Sequence, residues 1–179
     1  MDNNKTTFER SNRRQAPKEK SEFEQKLVDI ARVTRVMAGG KRLRFRACVI
    51  IGDFKGQLGW GIAKGADVSI AINKAVNQAK KRLINVKIYK NTIRHEVVGN
   101  FKSAKVFIKP AKEGRGIIAG GVVRDLMELS GIKDVIAKIY GSKNKVNNVR
   151  AVFEALNLLK ESKEDVIEEV KVIEEIKKE

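Results

Sequence analysis

At 179 residues with 42% hydrophobic content, the chain can bury one large or two small cores, and a net charge of +16, from 38 Lys+Arg against 22 Asp+Glu, calls for an anionic partner. No apolar run approaches the roughly 18 residues of a spanning helix, and the polar start MDNNKTTFERSNRRQ lacks the apolar middle of a secretory signal, so a membrane partner is not expected and a cytoplasmic location is. One cysteine, Cys48, and one histidine, His95, exclude an internal disulfide and a cysteine-based metal site and leave little acid–base chemistry, so no catalytic residue, metal or cofactor is expected.

Residues 1–22 are polar and charged, the composition of a basic flexible arm. From Phe23 the apolar density rises through Leu27, Val28, Ile30, Val33 and Val36 to a turn at Gly39-Gly40. Gly39 to Ile51, GGKRLRFRACVII, alternates as a strand, with Arg42, Arg44 and Arg46 on one face and Leu43, Phe45, Ala47 and Val49 on the other. Cys48 lies within it and reads as a buried thiol. Gly52 to Gly56 is a hairpin loop carrying Lys55. Leu58, Trp60 and Ile62 alternate with Gly59 and Gly61 as a third strand, where Trp60 reads as core.

Gly65 to Val86 changes to helical spacing through Val68, Ile72, Ala75, Val76, Ala79, Leu83 and Val86. Three strands and this helix make one α+β unit, residues 23–90. A second, α/β unit over 91–160 is read from a strand pair, Thr92 to Val98 and Lys105 to Pro110, joined through Gly99-Asn100. A helix from Gly121 to Leu129 ended by Gly131, a strand from Val135 to Tyr140 and a helix from Val146 to Leu159 complete it. Residues 161–179 are an acidic tail, helical or disordered; from Lys160 onward five lysines stand against eight carboxylates.

A cationic strand face backed by a core is the outline of an RNA-docking surface. Arg42, Arg44 and Arg46 adjoin Arg32, Arg35 and Lys41 around the diglycine turn, and Arg suits bidentate phosphate contact. Lys55, Lys64, Lys74, Lys80, Lys81 and Arg82 extend the candidate RNA-binding set, although the helix cluster also reads as a solvated face. Ser142, Lys143, Asn144 and Lys145 join a strand to a helix, where RNA contact and helix capping compete. The rival signal is EGRGIIAGG, Glu113 to Gly121, a glycine-rich turn into a helix. It lacks the Gly-Lys-Ser/Thr of a phosphate-binding loop, so close backbone packing is preferred over a small-molecule kinase.

The runs RVTRVMAGGKRLRF, VIIGDFKGQLGWGIAKG, NKAVNQAKKRLINV, EGRGIIAGGVVRDLMELSGIKDVIAKIYGS and NKVNNVRAVFEAL, in this order, closely resemble bacterial small-subunit ribosomal protein five over about Gln25 to Leu159. The resemblance implies an α+β chain: a three-stranded sheet plus helix similar to double-stranded-RNA-binding domains, then a C-terminal βαβα-type domain whose kinase-like fold explains the glycine loop without catalysis. It implies a structural, non-enzymatic constituent of the small ribosomal subunit that binds small-subunit ribosomal RNA, touches ribosomal proteins four and eight, and lies near messenger RNA entry with a part in decoding accuracy. Thr34, Arg35, Gly39, Gly40 and Lys41 match the family's RNA-approaching loop, while Ala38 stands where a lysine is often found. Gly116 and Arg124 match positions of the interface to protein four. The alternative is a free RNA-binding or RNA-chaperone protein.

Overall fold

The computed structural model describes residues 23–159; the arm and the acidic tail expected at the ends lie outside the described residues. The alternation around the diglycine turn produces a long antiparallel hairpin, β1 (Glu24–Met37) and β2 (Gly40–Gly52), closed by the pair Met37 and Gly40. A register shift between Leu27 and Asp29 marks a bulge at Val28. β3 (Gln57–Gly65) pairs with β2, and a short β4 (Leu83–Asn85) pairs with β3, giving the antiparallel order β1-β2-β3-β4.

The helix α1 (Val68–Lys80) lies on one face of this sheet. Ala47, Val49 and Ile51 of β2 meet Ala71, Ala75 and Ala79, one helical stripe spaced four residues apart. Glycines of β3 face the same stripe. A Cβ at Gly59 would sit 2.6 Å from the Ala79 carbonyl oxygen, and one at Gly65 would sit 2.7 Å from the Ala71 nitrogen. Small residues on both sides thus let helix and sheet backbones nearly touch. The helix ends at Lys80, six residues earlier than its apolar spacing predicts, because Leu83 and Ile84 pair with Gly59 and Leu58 as a fourth strand.

The second sheet holds β5 (Val97–Phe101), β6 (Ala104–Pro110), β7 (Ile117–Ile118) and β8 (Val135–Gly141) in the order β5-β6-β8-β7, with β7 parallel to β8 and the other pairs antiparallel. Helices α2 (Gly121–Ser130) and α3 (Lys145–Asn157) accompany it, and α2 stops at Gly131 in the left-handed region, as expected. Of the expected strand pair, Lys105 to Pro110 falls within β6, whereas the first strand begins at Val97 and not at Thr92. The turn falls at Lys102-Ser103, with Lys102 at φ 55°, while Gly99 is an in-strand contact whose Cβ would lie 2.7 Å from the Ala155 nitrogen of α3.

One apolar cluster runs through both sheets. Cys48, Ile50 and Leu58, on the sheet face opposite α1, share it with Val123, Leu126, Met127, Val152 and Phe153, and Trp60 and Ile62 pack against it. The run Ala47 to Ile51 is therefore buried on both sides, and Cys48 is the inert interior thiol expected; burial, then the nearby Asp29 carboxylate, push it up to about 11. The β2–β3 turn docks on the end of α2: Phe54 N–H donates to the Leu129 carbonyl (3.1 Å) and Gly56 N–H to that of Ser130 (3.0 Å).

Ion pairs reinforce the join. The Lys26 ammonium lies 2.5 Å from Asp125 and 3.1 Å from Glu128, while Lys145 reaches Asp29 at 3.6 Å and donates to the Val28 carbonyl at 3.4 Å. The hydrogen bond to Asp125, chiefly, raises Lys26 above its usual value, and Arg124, then Lys26, hold Glu128 below the usual carboxylate range.

Candidate nucleic-acid interface

Because partners in an antiparallel ladder share a face, the register sorts the hairpin cations. Arg35 stands opposite Arg42, Val33 opposite Arg44, Ala31 opposite Arg46, and Arg46 opposite Lys64 of β3. These cations occupy the face that runs on into Cys48 and Ile50. Arg32 pairs with Phe45 and Lys41 with Val36, so those two lie on the other face. The cations expected around the diglycine turn thus form two sides of one blade.

On the first side Val33, Thr34, Arg35, Met37, Arg42, Arg44 and Lys64 line a concavity of about 240 Å³. Among the described residues Arg35, Arg42, Arg44 and Lys64 have no carboxylate partner, and all four are exposed. Arg46 differs. It is half-buried and lies 3.4 Å from Asp29, so its charge is already answered where the hairpin enters the core. The tip, Met37 to Arg42, bends around a second hollow that brings Gly39, Gly40, Lys41 and Arg42 together. Gly40 takes φ 139°, a backbone that favours glycine, and no atom lies within 4 Å of a Cβ built at Gly39. Bare backbone beside Arg side chains is suited to close approach of a sugar–phosphate chain.

The remaining candidates are dispersed. Lys74 and Lys80 are exposed on α1 and Lys81 at its C-cap; the helix covers the sheet face opposite Arg42, Arg44 and Lys64. Lys55 is exposed in the β2–β3 turn; its N–H, like that of Gln57, donates to Asp53 Oδ1 (2.8 and 2.9 Å). Arg82 lies between α1 and β4, its N–H donating to the Ala79 carbonyl (2.9 Å) and its guanidinium 5.9 Å from the Trp60 ring. At the start of α3, Asn144 N–H donates to Ser142 Oγ (3.1 Å), and Asn144 Oδ1 accepts from Val146 N–H (3.1 Å), so both side chains act in capping. Lys145 is tied to Asp29, which leaves Lys143 as the cation of that group without an ion pair among the described residues.

The glycine-rich segment departs from the close backbone packing expected of it: no atom lies within 4 Å of a Cβ built at Gly114, Gly116 or Gly121, and Glu113, Gly114, Arg115, Gly120 and Gly121 are exposed. Gly116 N–H donates to the carboxylate of buried Asp134 (2.7 Å), and its carbonyl accepts from Val135 N–H (3.3 Å). Ile117 and Ile118 form β7. The loop glycines serve the turn, Gly114 at φ 81° and Gly116 at φ 74°, and the Gly116 N–H is already engaged by Asp134. Arg124 is exposed on α2 and pairs with Glu128 at 2.9 Å. Among the described residues there is no cluster of His, Cys, Asp and Glu fit to hold a metal, and no helix long and apolar enough to cross a membrane.

The sequence reading missed Arg150 of α3. Its guanidinium lies 5.1 Å from the Trp60 ring and 4.9 Å from the Phe101 ring, and Trp60 itself tilts against Phe153 at 6.1 Å. Trp60 packs as expected, though against the second sheet's helix and on the face away from α1.

Comparison with known proteins follows the same division. Residues 23–87 match the family model described as "Ribosomal protein S5, N-terminal domain", and residues 99–169 match "Ribosomal protein S5, C-terminal domain". The small ribosomal subunit protein uS5 of Campylobacter jejuni subsp. jejuni serotype O:23/36 (strain 81-176) is 48% identical over 141 residues, covering 79% of this chain and 96% of the relative. With a relative of that identity matched along nearly its whole length, and both of the family's domains found in order, the chain belongs to the ribosomal protein S5 family.

Proposed function

We propose that the chain is a structural constituent of the small ribosomal subunit, in the cytoplasm, that binds small-subunit ribosomal RNA and makes or breaks no bond. The observation that carries this reading is the set of exposed cations without a carboxylate partner among the described residues, Arg35, Arg42, Arg44 and Lys64, which line one concavity of the hairpin and the adjoining β3. Such a surface fixes an RNA segment through phosphate and sugar contacts, with arginine forks supplying bidentate geometry. Gly39, Gly40, Lys41 and Thr34 let the tip approach the backbone, and Arg32 addresses a strand on the opposite side. Lys55, Lys74, Lys80, Lys81, Arg82 and Ser142 to Lys145 provide peripheral contacts. Residues 23–90 supply most of the RNA contacts, and 91–160 add those of Ser142 to Lys145 and meet the protein neighbours. Ribosomal proteins four and eight are the proposed neighbours, Gly116 and Arg124 belong to the first of these contacts, and messenger RNA passes nearby.

Two measurements test the reading. In cell extract sedimented at moderate salt, the tagged chain should co-migrate with the small subunit; recovery in free-protein fractions alone would favour a free RNA chaperone. In binding to transcribed small-subunit ribosomal RNA, Arg42→Gln and Arg44→Gln should each lower the slope of log affinity against log salt by about 0.7 to 0.9. Arg46→Gln should change it less, because Asp29 already neutralises that charge. Equal effects at all three positions would refute the assignment of the contact face.

A further inference from the structure

A cavity of about 530 Å³ opens between three elements that lie far apart in the chain: the β1 bulge at Val28, the first turn of α2, and the segment that leads from the end of β8 into α3. Its size suits a single small molecule. The walls are apolar, formed by Val28, Val122, Ile139 and the half-exposed ring of Tyr140.

The floor is different. Asn148 of α3 lines the cavity with only 3% of its surface exposed, on a helix whose other buried residues are all apolar. Among the described residues its side chain makes no hydrogen bond, and Oδ1 is buried without a partner. A buried amide in that state is disfavoured unless a donor reaches it, so an apolar side chain would serve the core better. The position fits a ligand that brings its own N–H.

The rim carries the complementary chemistry. With Gly120 as N-cap, no side chain caps the first N–H groups of α2, and no acid stands in its first turn. A Cβ built at Gly121 meets nothing within 4 Å, so those N–H groups are open to close approach. On the β8–α3 side, Ser142 Oγ accepts from Asn144 N–H and keeps its own proton to donate, and Lys143 has no ion pair among the described residues. The other charges that line the cavity are answered: Asp125 by Lys26, and Lys145 by Asp29.

Donors for an oxyanion at the rim, apolar walls and one amide at the floor match a phosphate joined to a planar base. A helix N-terminus beside a lysine holds the phosphate. An asparagine amide pairs bidentately with adenine, whose N6–H answers Oδ1 and whose N7 accepts from Nδ2. We propose that this cavity binds a free adenine mononucleotide, at a site separate from the cationic hairpin. Asp125 is the one carboxylate among its lining residues and is held by Lys26, so the site retains its ligand and transfers no phosphoryl group.

Titration calorimetry of the full chain, without RNA, against AMP, GMP, adenosine and inorganic phosphate tests this. AMP should bind saturably and about tenfold more tightly than GMP or phosphate. Asn148→Val should weaken AMP by about tenfold without lowering the melting temperature, because an apolar side chain suits the core at that position. Lys143→Gln, on the surface, should weaken AMP and leave adenosine unchanged. A parent chain that fails to bind AMP would overturn the inference, as would equal affinity for AMP and phosphate, which leaves only an anion at a helix end. A lower melting temperature in Asn148→Val with AMP affinity retained would make the amide structural and overturn it too. If AMP does not bind and Asn148→Val weakens transcribed small-subunit ribosomal RNA, the cavity takes a nucleotide of that RNA and the inference fails.

Discussion

Gly61→Ala isolates the contact that seats α1 on the first sheet. A Cβ at this position would lie 2.9 Å from the Ala79 nitrogen and nearer still to the Ala75 carbonyl oxygen, both backbone atoms that no rotamer change can move aside. Ordinary contact begins near 3.4 Å, so the helix must retreat or tilt, and the stripe of Ala71, Ala75 and Ala79 then loses its fit against Ala47, Val49 and Ile51. Overpacking of this kind costs about 3 kcal/mol, reduced slightly by the lower entropy of an unfolded chain bearing alanine. At about 4 °C per kcal/mol the melting temperature should fall by roughly 10 °C in thermal denaturation followed by circular dichroism. Gly39→Ala is the matched control: with no atom within 4 Å it should melt within about 2 °C of the parent. Ala75→Gly added to Gly61→Ala should give no rescue, because the obstacle is the Ala75 backbone. A Gly61→Ala protein that melts with the parent would refute the close-packing argument.

Two further outcomes concern titrating groups at the join. Arg124 and Lys26 hold Glu128 below the ordinary carboxylate range, so its stabilisation is complete above the unfolded value of about 4.3 and is lost as pH falls through the folded one. The melting-temperature advantage of the parent over Glu128→Gln should accordingly be present at pH 6, within about 1 kcal/mol for so exposed a pair, and shrink below pH 4; an advantage constant down to pH 2 would contradict it. Cys48, raised to about 11 by burial, should resist a thiol reagent at pH 8 in the folded protein and react fully in denaturant. Its sign is the reverse of Glu128: stability is lost as pH climbs from the unfolded value of about 8.5 toward 11, and prompt labelling of the native thiol would show that the two sheets part readily.

The long hairpin was legible because alternation over GGKRLRFRACVII and a diglycine turn leave little choice of register. What alternation could not reveal was the second burial: Arg42, Arg44 and Arg46 read as a solvent face, yet Cys48 and Ile50 on that same side enter a core supplied by residues beyond 120. β4 and β7 escaped because three and two residues show no period. Leu83 and Val86 extended the helical spacing by accident of their positions after Lys80. The β5–β6 turn does not fall at the glycine that marks a turn in sequence, because Gly99 serves contact with α3 and Lys102 adopts the left-handed backbone. In the candidate site, charge was readable but neutralisation was not, since Asp29 must fold beside Arg46 and Lys145 before those two can be told from their neighbours. The contact of Arg150 with two rings joins positions 60, 101 and 150, a grouping that only tertiary structure makes.

A strand insulated on both flanks leaves no seam along which the molecule can be cut. Liberating the first ninety residues by proteolysis or truncation would bare Cys48, Ile50, Trp60 and Ile62 as an oily wall and invite self-association, whereas the remainder would lose the ceiling over Met127 and Phe153. Five residues, Ala47 to Ile51, therefore behave as a common keel for two hulls, and a single substitution there should be felt by both at once.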